Sequence, residues 1–191
     1  MVRTFFTLLL STELGRNHEE SDLRLPFVTE DRAKEFTSMR RFQFEADIYE
    51  TLNCVPMAVR RKLDRVGLKV GLDQWQSLSR AERLAICYMP AFSHDEREAL
   101  RAVLVEAAMA RFGCVPKELP VAAREEADPP SSVPLLLAAR SKDAGYDLKD
   151  EVWRSLDGDE RYALLKLGNG KTVSHNLPKA LAEFLSRPPQ V

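Results

Sequence analysis

The sequence contains few of the residues on which metal centres and disulfide frameworks depend. It has three histidines and three cysteines in 191 residues, and Cys54, Cys87 and Cys114 are far apart. An odd number of widely spaced cysteines without a Cys-x-x-Cys pair argues against a disulfide scaffold and favours reduced thiols in the cytoplasm. No His/Cys/carboxylate cluster has zinc-like spacing, so the sequence predicts neither a metal site nor another cofactor.

An excess of one charge and long apolar segments are missing as well. Lys and Arg total 28 against 29 Asp and Glu, which is unlike the basic composition typical of nucleic-acid-binding proteins. No window approaches the roughly 18 apolar residues that a membrane-spanning helix requires. Apolar residues make up 45% of the chain, and a chain of this length can bury a core unaided. We therefore expect a globular protein whose partners are neither nucleic acid nor membrane.

Residues 1–38 differ from the remainder because they contain no sustained hydrophobic period. A second methionine, Met39, opens a far more regular region. Two interpretations stay open, namely a poorly structured tail, or an artefact of the gene prediction with translation starting at Met39. The intact mass of the native protein distinguishes them.

The sequence is similar to itself at a shift of 78 residues. Nine identities align without gaps over residues 55–86, where roughly two are expected by chance from average composition. Further along, the shift becomes 81, and Ser93-His94 then aligns with Ser174-His175. The identities include Pro56 with Pro134, Gly67 with Gly145, Trp75 with Trp153, Glu82 with Glu160, and Arg83 with Arg161. We therefore predict a duplicated unit.

The repeated residues are typical of helix boundaries. Proline suits the first turn of a helix, where no amide donor is required, and glycine suits the C-cap. Ser79 with Glu82, and Asp157 with Glu160, form capping boxes that satisfy otherwise unpaired backbone donors. The tryptophan that follows each glycine is expected to fill the core from a short helix or turn. A third capping box at Ser93 predicts a long helix that ends near residue 113.

We predict an all-α fold built from two similar units of three or four helices each. Five of the eleven prolines lie within residues 116–134, so we expect residues 115–132 to be an extended connection between the copies. No convincing alternating strand pattern is present, and residues 68–70 are too short to count. The predicted ranges are a tail at 1–38, a first helical repeat at 39–114, a linker at 115–132 and a second helical repeat at 133–191.

Residues 42–119 resemble the nitrate reductase-associated protein family, small proteins of cyanobacteria and some other bacteria. The likeness is carried by FQFEAD at 42–47, LNCVPMAVR at 52–60 and KLD at 62–64, followed by Gly67, Leu68-Lys69, Leu72, Trp75 and LSxxER at 78–83. The second repeat is similar to a divergent continuation of longer family members. It has Ser132 in place of Cys54 and Leu135 in place of Met57.

The resemblance implies an accessory role. Family members are linked to assimilatory nitrate reductase, a molybdenum and iron–sulfur enzyme, and are thought to help produce its active form without catalysing nitrate reduction. The resemblance supplies no catalytic residues that could be assigned to positions in this sequence. Our leading hypothesis is therefore a non-catalytic protein that binds nitrate reductase or its assembly intermediate. The alternatives are a generic helical interaction module and a metal or redox carrier that uses Cys54.

A short basic cluster follows the Cys-Val-Pro-Met segment. Val59 and Leu63 have the spacing of a buried helix face, so we expect much of this charge to be exposed. Two interpretations stay open, a solvated helix face or a docking surface for an acidic partner. The cluster is short, lacks interleaved aromatic residues and is offset by nearby acids, which argues against nucleic acid. The candidate partner-binding residues are Cys54, Met57, Arg60, Arg61, Lys62 and Arg65.

The cysteines and histidines allow a functional and a structural interpretation. Cys54 could ligate a metal centre in transit, since thiolates suit such metals. We favour burial for all three cysteines, because free cysteine is among the most often buried residues. His94 and His175 occupy matched repeat positions, where we expect each to bond locally or face solvent.

Two other patterns resemble functional motifs. The Glu-Arg pairs at 82–83 and 160–161 recur in both copies, which favours a structural role over catalysis. Residues 168–172 read Gly-Asn-Gly-Lys-Thr, but position 165 is Leu165 and not the glycine of a phosphate-binding loop. We interpret this segment as a turn that ends a helix. No nucleophile–base pair or carboxylate dyad stands out, so we expect no active site.

Overall fold

The structure, a computed structural model, describes residues 39–186, so the expected tail at 1–38 lies outside it. Within that range a 3-10 helix (Gln43–Glu45) precedes ten α-helices, and the predicted all-α class is confirmed. The helices are α1 (Ile48–Thr51), α2 (Met57–Val66), α3 (Leu72–Ser77), α4 (Arg80–Tyr88), α5 (His94–Phe112), α6 (Val121–Glu125), α7 (Leu135–Asp143), α8 (Asp150–Ser155), α9 (Gly158–Gly168) and α10 (Leu177–Leu185). No helix in this range is long and apolar enough to cross a membrane.

The predicted capping residues begin the helices as expected. Ser79 Oγ accepts from the Glu82 amide at 3.2 Å, and Glu82 Oε2 accepts from the Ser79 amide at 2.6 Å. Asp157 and Glu160 repeat this arrangement at 2.8 and 3.0 Å. Gly67 ends α2 with φ of +79°, a left-handed conformation that glycine adopts without a steric penalty. Local side-chain chemistry therefore sets these boundaries.

The connecting segment is more structured than an extended linker. Residues 117–118 form strand β2, which pairs antiparallel with β1 at residues 68–69, and α6 lies within the expected linker. The segment packs back on the first half, where Ala127 is fully buried. A two-residue strand is too short to show an alternating pattern, which is why sequence reasoning set residues 68–70 aside.

The apolar side chains form two cores. The first core contains Trp75 and the inward face of α2, where Val59 and Leu63 are buried as predicted. The second contains Trp153 and the buried faces of α9 and α10. Phe42, Phe44 and Met57 belong to the predicted first repeat but pack in the second core. The cores therefore interlock across the predicted repeat boundary.

Polar contacts join α2 of the first half to α9 of the second. Asp64 Oδ2 accepts a hydrogen bond from the Tyr162 hydroxyl at 2.7 Å. The same oxygen lies 2.9 Å from Lys166 Nζ, which also pairs with Glu126 at 2.6 Å. Asp64 is 9% exposed, so this pairing compensates the cost of burying its charge.

Matching contacts occur in the two halves. Trp75 Nε1 donates to the Leu52 carbonyl at 2.7 Å, and Trp153 Nε1 donates to the Pro130 carbonyl at 2.8 Å. Leu52 and Pro130 are separated by the same 78 residues as the two tryptophans. These contacts support a duplication, which stays a prediction.

Candidate functional site

The candidate partner-binding residues lie on α2 and the loop before it, but they point in different directions. Cys54 and Arg60 are exposed. Met57 is 8% exposed and belongs to the second core. Of these three, only Cys54 and Arg60 are therefore accessible to a partner.

Arg61 and Arg65 are held against the second half and the connecting segment. Arg61 Nε donates to the Ala127 carbonyl at 2.7 Å, and Arg61 Nη1 donates to Asp159 Oδ1 at 2.9 Å. Arg65 Nη2 donates to Asp128 Oδ1 at 2.8 Å. The two side chains are only 11% and 19% exposed. The expected free exposure of this charge is therefore wrong for both, because their long side chains reach carboxylates that are distant in sequence.

Gly158 allows Arg61 to reach this position. A Cβ atom at Gly158 would lie 2.6 Å from Arg61 Nη2. The guanidinium therefore lies directly over the first residue of α9, where any larger residue would displace it.

Lys62 is also partly buried, and its ammonium binds the end of a helix. Its Nζ donates to the Cys87 and Met89 carbonyls, at 2.7 and 2.9 Å, where α4 ends. A cation at this position satisfies carbonyls left unpaired at a helix C-terminus. Burial lowers the pKa of Lys62, while electrostatic interactions with the side chains of Cys87 and Asp159 oppose that change.

Arg140 makes the corresponding contact in the second half. Its Nη1 donates to the Gly168 and Gly170 carbonyls at 2.5 and 2.6 Å, where α9 ends. Lys62 and Arg140 are related by the shift of 78, and their carbonyl acceptors are related by the shift of 81. Lys62 therefore has a role in the framework, which its place in a basic cluster does not reveal.

A basic groove runs along α2 on the side of Arg61 and Arg65. Its first part is a cavity of about 340 Å³ between α2, the α4–α5 loop and the start of α9. Its second part, of about 440 Å³, continues from Arg65 and Phe92 to α6. The cationic lining residues are Arg40, Arg61, Lys62, Arg65, Arg97 and Arg124. The acidic ones are Glu125, Asp128, Asp157 and Asp159.

Two exposed aromatic side chains flank these cations. Tyr88 and Phe92 are 44% and 42% exposed, and the Arg65 guanidinium lies 5.8 Å from the centre of the Phe92 ring. Sequence reasoning missed both residues as partners of the cluster, because they come from the end of α4 and the loop after it. Arg60 does not line the groove.

The cysteines and histidines do not form a metal site in the described range. Cys54 and Cys114 are exposed, so their expected burial is wrong, whereas Cys87 is buried as predicted. Burial raises the pKa of the Cys87 thiol to about 11. His94 and His175 face solvent. Within residues 39–186 there is no group of three or more potential metal ligands.

Three residues of the two Glu-Arg pairs make structural contacts. Besides closing its capping box, Glu82 pairs with Arg111 at 3.1 Å. Arg83 Nη1 donates to the Leu52 carbonyl at 2.8 Å, the same atom that binds Trp75. Glu160 caps α9 and pairs with Arg40 at 2.9 Å. The Gly168–Thr172 segment ends α9, as the sequence predicted.

Comparison with known proteins identifies the family. No curated protein and no solved structure matches the chain. Residues 41–184 match the family described as "Conserved nitrate reductase-associated protein". The match covers most of both halves and so extends beyond residues 42–119, which carry the motifs of the resemblance; that the second repeat is a divergent copy stays a prediction. This chain therefore belongs to the nitrate reductase-associated protein family.

Proposed function

We propose that this protein is a non-catalytic accessory protein that binds nitrate reductase, or an assembly intermediate of it, in the cytoplasm and promotes its maturation or activity. The observation that carries the proposal is the family match across residues 41–184. Its description names an association with an enzyme and no reaction of its own.

The chemistry of the described residues is compatible with a binding role. The buried carboxylates of Asp64 and Glu160 serve inter-half pairing and helix capping. The basic groove joins arginine and aromatic side chains at the surface, two residue types that are enriched in protein interfaces. A protein with these features contributes by contact with its partner.

The proposal is tested with a deletion strain that also encodes assimilatory nitrate reductase. We expect the deletion to lower nitrate-dependent growth and nitrate reductase activity, and the wild-type gene to restore both. Purified protein should bind the purified reductase, or its cofactor-free form, in a direct assay. Normal reductase activity in the deletion strain, together with no binding to either form, would contradict the proposal and leave a generic interaction module.

A further inference from the structure

We propose that the basic groove binds an acidic segment of the partner protein, with an aromatic or aliphatic side chain of that segment packed on Tyr88 and Phe92. The inference rests on the proposed function, because it takes nitrate reductase as the partner. It assigns the contact to one side of α2, and it leaves Cys54, Met57 and Arg60 outside that contact.

Charge in the groove favours an acidic ligand. In the first cavity four cations line the wall beside the carboxylates of Asp157 and Asp159. Two further carboxylates pair with these cations from outside the cavity lining, Glu160 with Arg40 and Asp128 with Arg61 and Arg65. A guanidinium carries five N–H donors, and the hydrogen bond of Arg65 to Asp128 involves one of its terminal nitrogens. The Asp128 side chain is itself 73% exposed. Arg65 therefore retains donors for an incoming carboxylate.

The groove arginines are held in place before any ligand binds. Arg61 is fixed at both Nε and Nη1, by the Ala127 carbonyl and by Asp159. Arg65 is held between Asp128 and the Phe92 ring. Side chains already ordered in the free protein lose less conformational entropy on binding. The contacts that reduce the exposure of these arginines thus also prepare them for recognition.

The shape of the groove favours a chain segment over a compact ion. Its two parts share Arg65 and Phe92, so the lining continues from Arg40 at one end to Arg124 at the other. Tyr88 and Phe92 offer apolar surface beside the cations, which a small inorganic anion would leave uncovered. A peptide segment with both carboxylates and an apolar side chain covers both kinds of surface.

The cations of α2 can be compared with the residues 78 positions further along in the second half. At the 78-residue shift, Arg61 corresponds to Ala139 and Arg65 to Asp143. Lys62 corresponds to Arg140, which keeps the helix-capping contact. The second half forms its core and its helix cap with other residues at these two positions, so neither core formation nor the cap requires arginine there.

The test measures binding of purified nitrate reductase from the same organism to full-length protein and matched variants. The groove variants are Arg65→Gln and Phe92→Ser, and the control is Arg60→Gln on the same helix. We expect each groove variant to weaken binding at least tenfold. The double variant should bind more weakly than either single variant. The control should remain within about twofold of wild type, since Arg60 lies outside the groove.

The possible outcomes separate the two proposals. If wild-type protein fails to bind any form of the reductase, the proposed function fails, and the groove assignment fails with it. If wild type and both groove variants bind equally well, the groove assignment alone is overturned. Should Arg65→Gln unfold, Phe92→Ser decides the question, because its side chain is exposed and thermal melting can verify its fold.

A small anion is tested as the competing ligand with sodium phosphate at constant ionic strength. We expect millimolar phosphate to leave the melting temperatures of wild type and Arg65→Gln equally unaffected. Stabilisation of the wild type that disappears in Arg65→Gln would identify a small-anion site and overturn the assignment to a protein segment.

Discussion

Lys62 in the first half and Arg140 in the second each bind two carbonyls at the end of a neighbouring helix. Arg61 and Arg65 have no such counterparts, since Ala139 and Asp143 stand at the matching positions. These three neighbouring cations on α2 thus make different kinds of contact. The contact that recurs caps a helix in each half, whereas the arginines found once bind the connecting segment and α9.

The largest effect is expected at the paired tryptophans. Trp75→Ala and Trp153→Ala should each lower the free energy of unfolding by about 3–5 kcal/mol, because both side chains are fully buried. Chemical denaturation followed by circular dichroism measures the change. Leu135→Ala is the control, since Leu135 is 90% exposed, and it should be nearly neutral. A small cost at one tryptophan only would break the equivalence of the two halves.

The contact between the halves is tested at Asp64. Asp64→Ala leaves Lys166 and Tyr162 without a shared acceptor, and we expect a loss of about 3 kcal/mol in unfolding free energy. Tyr162→Phe removes one hydrogen bond and should cost about 1 kcal/mol. Equilibrium denaturation measures both variants. An Asp64→Ala protein as stable as wild type would show that this buried pairing is not needed to join the halves.

A smaller effect is expected at the two helix caps. Lys62→Met and Arg140→Met should each cost about 1–2 kcal/mol, because each removes hydrogen bonds from a charged group to backbone carbonyls. Lys62→Arg should retain most of the stability, since arginine makes this contact in the second half. Thermal and chemical denaturation give the values. If Lys62→Met leaves the unfolding free energy unchanged while Arg140→Met lowers it, the two residues do not share a helix-capping role.

The sequence predicts the helix boundaries because they depend on residues that are close together in the chain. The capping boxes at Ser79 and Asp157 use residues three positions apart, so they can be identified before any tertiary structure is known. The end of α5 at Gly113 is another local signal, with φ of +68°. These signals establish the helices and the all-α class.

The candidate site depends on long-range contacts, which the sequence does not display. Arg61 reaches Asp159 across 98 residues, and Lys62 binds backbone carbonyls that any residue could supply. Phe92 joins the groove from the loop after α4. Periodicity identified the buried face of α2, but it could not show which of the remaining charges are paired with the second half.

The smallest predicted effect concerns Glu45 of the first half; the residue 78 positions further along is Ala123, in the connecting segment. Glu45 is buried, and both of its carboxylate oxygens accept from the Met57 amide at 3.1 Å, where α2 begins. Burial raises the pKa of Glu45, and this outweighs the hydrogen bonds from Tyr49 and Met57 and the charge of Arg60, which lower it.

Because the pKa of Glu45 is higher in the folded protein than in the unfolded chain, its protonated form stabilises the fold. This stability is fully present below the ordinary glutamate pKa and is lost as the pH rises through the pKa of folded Glu45. We therefore expect the wild type to lose stability relative to Glu45→Gln as pH increases from mildly acidic toward neutral. Denaturation of both proteins across this range measures the difference, and Glu50→Gln, an exposed site on α1, is the control. A stability difference that stays constant with pH would show that Glu45 ionises in the folded protein as readily as in the unfolded chain.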